Sequence, residues 1–265
     1  MTAFHACVLI PTYDNPATID RVVRAVQAKH RHVVVVDDGS GPDAAARIDA
    51  LASEGVIALH RRAQNGGKGA AVKDGLRAAL ALGYTHALQV DADGQHALED
   101  IPRFLEAARE DPRCMVLGQP RFDASIPAAR LYGRRISIFW AAIESLGRVG
   151  DPLCGFRVYP IEPALAVNTR GDRMDFDPEI IVRMVWAGVP VVKLETSVRY
   201  IAASEGGVSH FQGFRDNVRI SLAHTRLVIE LIARAVLALF GAGTLRLAPA
   251  RATAVARDNK SERLQ

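Results

Sequence analysis

Gln89-Val90-Asp91-Ala92-Asp93-Gly94-Gln95-His96 follows directly on Ala87-Leu88, so an apolar run ends in two carboxylates one residue apart. The run reads as a strand that delivers acids to a site. Alternation along extended chain puts Asp91 and Asp93 on one side of it, and Gly94 permits the sharp departure that such a cluster needs. Hard oxygen ligands of this kind suit Mg²⁺ or Mn²⁺, commonly held by one or two carboxylates while substrate phosphates complete the octahedron. The amide oxygen of Gln95 offers a third ligand. Standing alone, an Asp-x-Asp is more often a solvated turn, here one that caps a helix beginning near Leu98. The neighbouring segments decide between the two.

Through the first half of the chain, apolar segments of strand length alternate with helical patterns. Residues 7–10, 32–36, 56–59, 87–90 and 114–117 read as strands, the second a nearly unbroken β-branched run suited to a parallel strand covered on both faces. Residues 16–28, 43–54, 68–82 and 98–110 read as helices, the first with Ile19, Val22, Val23 and Val26 on one face. This alternation predicts an α/β fold with a Rossmann-like, doubly wound, mostly parallel sheet. In such sheets ligands bind at the carboxyl ends of the strands. Pro11-Thr12-Tyr13-Asp14, Asp37-Asp38-Gly39-Ser40 and the Asp91/Asp93 pair all fall there. Beyond Gln119 come a basic stretch (Arg121, Arg130, Arg134, Arg135), a helix over 136–146, a loop 151–157 entering a strand, a helix over 178–187 and a strand over 189–194.

The chain has 265 residues, 49% of them hydrophobic and 23% charged, enough for one large α/β domain with a full core. A net charge of +4 is compatible with phosphate-bearing substrates or an anionic membrane face and too small to argue for nucleic acid. Cys7, Cys114 and Cys154 are odd in number and without zinc spacing, which suits reduced thiols in a cytosolic setting. The N-terminus enters the first strand too soon for a signal peptide, so the expected location is cytoplasmic, peripheral on the inner membrane face at most. Residues 1–215 are expected to form the main domain. Residues 216–243 are expected to form an amphipathic helix, because Arg219, His224, Arg226, Glu230 and Arg234 interrupt any uncharged run of the ~20 residues that a span requires. That helix either lies on a membrane surface or docks on the core. Residues 244–265 make a basic tail expected to be mobile.

Carboxylates gathered at one sheet edge need a cation or a hydrogen-bonding ligand between them. A nucleoside diphosphate with a metal meets both demands, with Asp38 accepting from base or ribose and the metal at Asp91 and Asp93 taking the pyrophosphate. Asn65-Gly66-Gly67-Lys68-Gly69-Ala70 adds a glycine turn that opens a helix, where backbone N–H groups suit phosphate; it is equally a simple helix-start loop. It is not a Walker loop, since Gly69 stands where Ser or Thr should follow Lys68.

Pro11-Thr12-Tyr13, Val35-Val36-Asp37-Asp38-Gly39-Ser40, Asn65-Gly66-Gly67-Lys68-Gly69 and Asp91-Ala92-Asp93-Gly94-Gln95-His96, in that order, resemble the nucleotide-sugar half of family 2 glycosyltransferases with the GT-A fold. The resemblance covers about residues 6–215. It is closest to the dolichyl-phosphate mannose synthase and polyprenyl-phosphate glycosyltransferase group. It implies an inverting, metal-dependent transfer from a nucleotide-diphosphate sugar to a lipid-linked acceptor at a membrane surface. Pro11, Tyr13, Val36, Asp38 and Asp91 would line the nucleoside pocket, with Asn15, Lys68 and Ala92 beside them. Asp91, Asp93 and Gln95 would hold Mg²⁺ or Mn²⁺. Arg121, Arg134, Arg135 and Ser137 would orient an acceptor phosphate, unless they are an ordinary solvated face. For a hydroxyl acceptor a carboxylate base is needed, with Asp151 first and Glu179 and Asp177 behind it; the plain alternative for Asp151 is a loop-ordering Asp before Pro.

Departures from the group's pattern are Asn15, where an acid is usual, and Ser204, where a phosphate-binding Arg is usual. Arg199 or His210 would then serve, His210 as a diphosphate or metal contact. Two other readings are a nucleotidyltransferase, which would want a Gly- and Arg-rich loop after the first strand, and a non-catalytic nucleotide-sugar binding module.

Overall fold

The computed structural model describes residues 3–122, 126, 128–199 and 212–240. Seven strands form one sheet: β1 (Ala6–Thr12), β2 (Val33–Asp37), β3 (Ala58–Arg61), β4 (His86–Gln89), β5 (Met115–Phe122), β6 (Arg157–Pro160) and β7 (Val191–Val198). Their order is β3-β2-β1-β4-β6-β5-β7. All pairings are parallel except those of β6, which runs antiparallel to both β4 and β5. The chain builds outward from β1 to β3 and then returns to place β4 on the other side of β1. The crevice between β1 and β4 is therefore the topological switch point.

Alternating residues of the strands feed two cores. On one face Val8, Ile10, Val35 and Leu88 pack with Ile19, Val22 and Val26 of α1 (Ile19–Gln27), Ile48 and Leu51 of α2 (Pro42–Ser53) and Phe104 of α4 (Ile101–Glu110). On the other, Cys7, Leu9, Val34 and Val36 pack with Val72 and Leu76 of α3 (Lys68–Ala81), Ile161 of the short α6 (Ile161–Ala166) and Phe176, Ile180 and Met184 of α7 (Phe176–Trp186). Burial on both faces is why β2 is four valines followed by an aspartate.

Two elements differ from the sequence-based expectation. β5 runs on through Gly118-Gln119-Pro120, which look like breakers, because β7 pairs with it in register from Met115↔Val191 to Phe122↔Val198. On β5 the short β6 pairs with Val116 and Leu117 alone, so Pro120 lies where its missing N–H breaks no ladder bond on that side. α5 (Ala128–Glu144) begins eight residues before the expected start at Ile136, which places Arg134 and Arg135 inside a helix. α8 (Gly213–Leu239) docks on α5 and α7, burying Ile220, Ala223, His224 and Leu227. The buried His224 ring contacts the Glu144 carboxylate at 2.9 Å, and Trp186 Nε1 donates to Glu144 O at 2.8 Å. The tail from residue 244 lies outside the described residues.

α3 approaches the sheet closely at Gly75, where a Cβ would lie 2.5 Å from Leu9 Cδ1 and 2.7 Å from Val36 Cγ2. Gly75→Ala recovers about 1 kcal/mol of helix propensity. Overpacking of a dense core at these distances costs about 1–3 kcal/mol. The net expectation is a loss of up to about 2 kcal/mol, read as a lower denaturant midpoint at an unchanged slope.

Candidate active site

The site is built on the carboxyl ends of β1, β2 and β4. After β4 the chain turns at Gly94, whose φ of +74° suits glycine, and Gln95 N donates to Asp93 Oδ1 at 3.0 Å. The turn is held from two sides. Thr18 Oγ1 at the start of α1 donates to Ala92 O at 2.7 Å, and Arg199 N beyond β7 donates to Gln95 O at 3.1 Å. Asp91 is aimed by a relay in which the Tyr159 hydroxyl donates to Gln89 Oε1 (3.2 Å) and Gln89 Nε2 donates to Asp91 Oδ1 (3.2 Å).

Around these acids lies a cleft of about 840 Å³. Of the residues expected at the nucleotide-sugar and metal positions, Pro11, Tyr13, Asn15, Asp38, Lys68, Asp91, Ala92, Asp93 and Gln95 all line it. Asp177, Arg134 and Ser137 line it as well. Val36 does not: its side chain is fully buried in the core beneath α3. His210 and Ser204 lie outside the described residues.

Lys68, the first residue of α3, reaches across the cleft floor and places Nζ 3.0 Å from Asp91 Oδ2 and 3.0 Å from Asp177 Oδ2. Arg157, fully buried, approaches Asp177 Oδ1 at 3.3 Å and donates to the carbonyls of Cys154, Pro152 and Asp177. It thereby ties loop 152–154 to the start of α7. Burial disfavours the Lys68 ammonium, but the carboxylates of Asp177 and Asp91 outweigh it and hold the amine above its ordinary range. Burial likewise opposes charge on Asp91, and Lys68 with His96 at 3.5 Å overcomes it, holding that carboxyl below the usual range. Asp93 is shifted the other way, first by burial and then by the charge on Asp91. Two acids one residue apart are thus shifted in opposite directions, Asp91 downward by the cations beside it and Asp93 upward by burial and by the charge on Asp91.

Asp38 is 2% exposed, and its oxygens accept Gly66 N (3.0 Å), Gly67 N (2.7 Å) and the Arg62 guanidinium. In this state it orders the glycine turn, where the sequence suggested a contact to base or ribose. Asn15 donates its amide to Tyr13 O (2.9 Å) and Thr12 Oγ1 (3.3 Å), while its buried Oδ1 has no partner among the described residues. Arg134 is paired with the buried Asp151, which also accepts Leu153 N at 2.8 Å. Asp151 and Arg135 face a smaller adjoining cavity of about 210 Å³ that shares Arg134 with the cleft. Glu179 stands apart: it accepts Arg170 N, Gly171 N and Arg183 Nε, and so anchors a loop. Arg121 is exposed and paired with Glu195. Burial pushes the thiol of Cys154, on the cleft wall, up to about 11, so it is no nucleophile.

Sequence reasoning missed the cleft wall supplied by the start of α8, where Gln212, Gly213, Asp216, Asn217, Arg219 and Ile220 line the same cleft. It also gave no role to His96, whose Nδ1 is buried without a partner among the described residues. The helix itself was expected over residues 216–243; nothing local in the sequence marks which end closes the cleft.

The acids fit a divalent cation of the Mg²⁺ or Mn²⁺ type, since hard carboxylate and amide oxygens of Asp91, Asp93 and Gln95 meet at one cleft. Among the described residues no three or more His, Cys, Asp or Glu side chains are grouped so as to hold a metal ion by themselves. An ion held partly by substrate phosphates requires none.

The mostly parallel sheet with acids beyond the end of β4, at its switch point, has the GT-A fold of glycosyltransferases. Residues 7–150 match the family described as Glycosyl transferase family 2, and the chain belongs to that family. It is 33% identical over 174 residues to an undecaprenyl-phosphate mannosyltransferase of Micrococcus luteus, covering 60% of this chain and 68% of that one. It is 32% identical over 170 residues to a UDP-N-acetylglucosamine–dolichyl-phosphate N-acetylglucosaminyltransferase of Methanococcus voltae, covering 57% and 67%. Among solved structures it resembles glucosyl-3-phosphoglycerate synthase of Mycobacterium tuberculosis, in complex with Mn²⁺, UDP and phosphoglyceric acid, with a TM-score of 0.63 at 16% identity over 86% of this chain and 78% of that one. The protein is a glycosyltransferase, which sets aside the nucleotidyltransferase and non-catalytic readings.

A Cβ at Gly155 would overlap the Asp91 carboxylate. Gly155→Ala is expected to fold yet to lose most of the Mn²⁺-dependent thermal stabilisation by nucleoside diphosphates, because the displaced acid no longer presents its oxygens to the cleft.

Proposed function

We propose that this chain transfers a sugar, with inversion, from a nucleotide-diphosphate sugar to a lipid-linked phosphate in a metal-dependent reaction at a membrane surface. The observation that carries this reading is the cleft lined by Asp91, Asp93 and Lys68 and also by Arg134 and Ser137. Lys68 and a metal held at the acids suit an anionic donor; Arg134, which Asp151 pairs in this state, and the Ser137 hydroxyl suit a second anion. Bound at Asp91, Asp93 and Gln95, Mg²⁺ or Mn²⁺ would neutralise the leaving diphosphate as a Lewis acid. Lys68, on the cleft floor, adds to that neutralisation. A phosphate acceptor is already ionised and requires no base. This suits a site in which Asp151 is clasped by Arg134 and Glu179 is committed to a loop. Asp177, paired with Lys68 and Arg157, acts on the charge balance of the floor.

The outer surfaces of α5 and α8 support a membrane location. Tyr132, Phe139, Leu222, Ile229, Ile232 and Leu239 are each more than half exposed. Apolar exposure on this scale, on two helices that also wall the cleft, suits a surface that rests in a lipid interface. No helix among the described residues is long and apolar enough to cross a membrane.

With Mn²⁺ and a UDP- or GDP-sugar, transfer to a short polyprenyl phosphate is expected, and Asp93→Ala should remove both transfer and the metal-dependent thermal shift. An unchanged shift would place the ion elsewhere. In sedimentation with anionic vesicles, the doubly substituted Ile229→Glu, Ile232→Glu protein should be retained several-fold less than wild type while its nucleotide-dependent thermal shift is preserved.

A further inference from the structure

The floor of the cleft already contains a cation. Lys68 Nζ stands 3.0 Å from both Asp91 and Asp177, and its side chain is 15% exposed. The other groups that face Asp91 are Gln89, at 3.2 Å on the second oxygen, and the His96 ring at 3.5 Å. Asp91 is therefore engaged on both oxygens, whereas Asp93 has no ion pair among the described residues and accepts only the Gln95 backbone N–H. A divalent ion arriving at Asp91 and Asp93 competes with the ammonium for the same carboxylate and meets it as a like charge at short range. The diphosphate of a donor reverses that balance, because it gives the ammonium a new anionic partner on the same side of the cleft. Asp177 keeps its second cation, Arg157, when Lys68 leaves. The lysine can turn without the backbone moving, since it starts at the first position of α3 on a glycine turn fixed by Asp38.

We infer that Lys68 is an exchangeable counter-ion that holds the place of the metal at Asp91 in the ligand-free enzyme and moves onto the donor diphosphate, so that metal and donor bind with positive coupling and metal alone binds weakly. This rests on the proposed function. A lysine that served only to bind phosphate would leave the affinity for metal alone unchanged on removal. A lysine that served only to brace the floor would lower it.

The test uses the full chain and two titrations. Mn²⁺ is added to nucleotide-free protein and the free ion read by its electron paramagnetic resonance signal. UDP and GDP are each titrated calorimetrically into Mn²⁺-saturated protein. Lys68→Met is expected to bind Mn²⁺ alone about tenfold more tightly than wild type and the nucleoside diphosphate about tenfold more weakly, collapsing the reciprocal coupling. Lys68→Gln, which keeps a donor for Asp177, carries the same expectation should the Met variant not fold. Lys68→Arg, which keeps the charge, should retain the weak binding of metal alone. Unchanged or weaker Mn²⁺ binding by the neutral variants, with nucleotide still bound by wild type, overturns the inference and leaves the proposed function standing. A wild type that binds neither UDP nor GDP in the presence of Mn²⁺ overturns both.

Discussion

Negative charge gathered at one rim of the sheet is the constraint on which the other features depend. Asp91, Asp93 and Asp177 line one cleft, and without Lys68 and Arg157 among them their mutual repulsion and desolvation would not be tolerated. Arg157 is fully buried, and a buried ion that loses its partner typically costs 3–5 kcal/mol. The position of β6 follows from this. Because β6 runs antiparallel, its first residue, Arg157, pairs with Gln89 at the acidic rim, and the loop leading into it lies over the site. A parallel strand in the same place would begin at the opposite end of the sheet and deliver neither.

The same logic accounts for the glycine turn. Gly66 and Gly67 direct two backbone N–H groups at Asp38, and Gly67 has a φ of +100° with Arg173 packed where a side chain would be. The carboxylate is the local stand-in for an anion, and the lysine that follows is carried to the cleft floor. Asp14 makes a comparable cross-link between the β1 and β2 loops, accepting Gly41 N at 2.6 Å from a positive φ of 46°. Such fixed loops present a preorganised rim, so that ligand charge meets dipoles that need little rearrangement.

The doubly wound sheet was legible because hydrophobic runs and helical faces alternate in the first half, and the acid pair was legible because it interrupts such a run. Nine residues expected at the nucleotide-sugar and metal positions share one cleft for that reason: motifs at the ends of parallel strands are brought together by topology alone. Long-range partnerships were not legible. The contacts of Asp38 to residues 66 and 67, Asp151 to Arg134 and Glu179 to the loop before α7 depend on which side chain reaches which neighbour, and a carboxylate in a loop reads the same whether it faces ligand or anchors backbone. The extension of β5 through Pro120 was hidden likewise, since pairing with a strand some 75 residues on overrides local propensity.

α8 shows how one element can serve two surfaces. Its buried stripe of Ile220, Ala223, His224 and Leu227 fixes it to α5 and α7, its first turns close the cleft, and its later turns leave Ile229, Ile232 and Leu239 in solvent. The docking includes a His224–Glu144 contact that is almost fully buried, a poor source of net stability but a strict requirement on register, because sliding the helix by one turn would strand both groups. Fixing that register fixes Asp216, Asn217 and Arg219 relative to Lys68 across the opening. Under the proposed function an acceptor held at the lipid interface would reach the donor along this wall. The length of α8 and the apolarity of its far half are then set by the interface, while its near half is set by the chemistry.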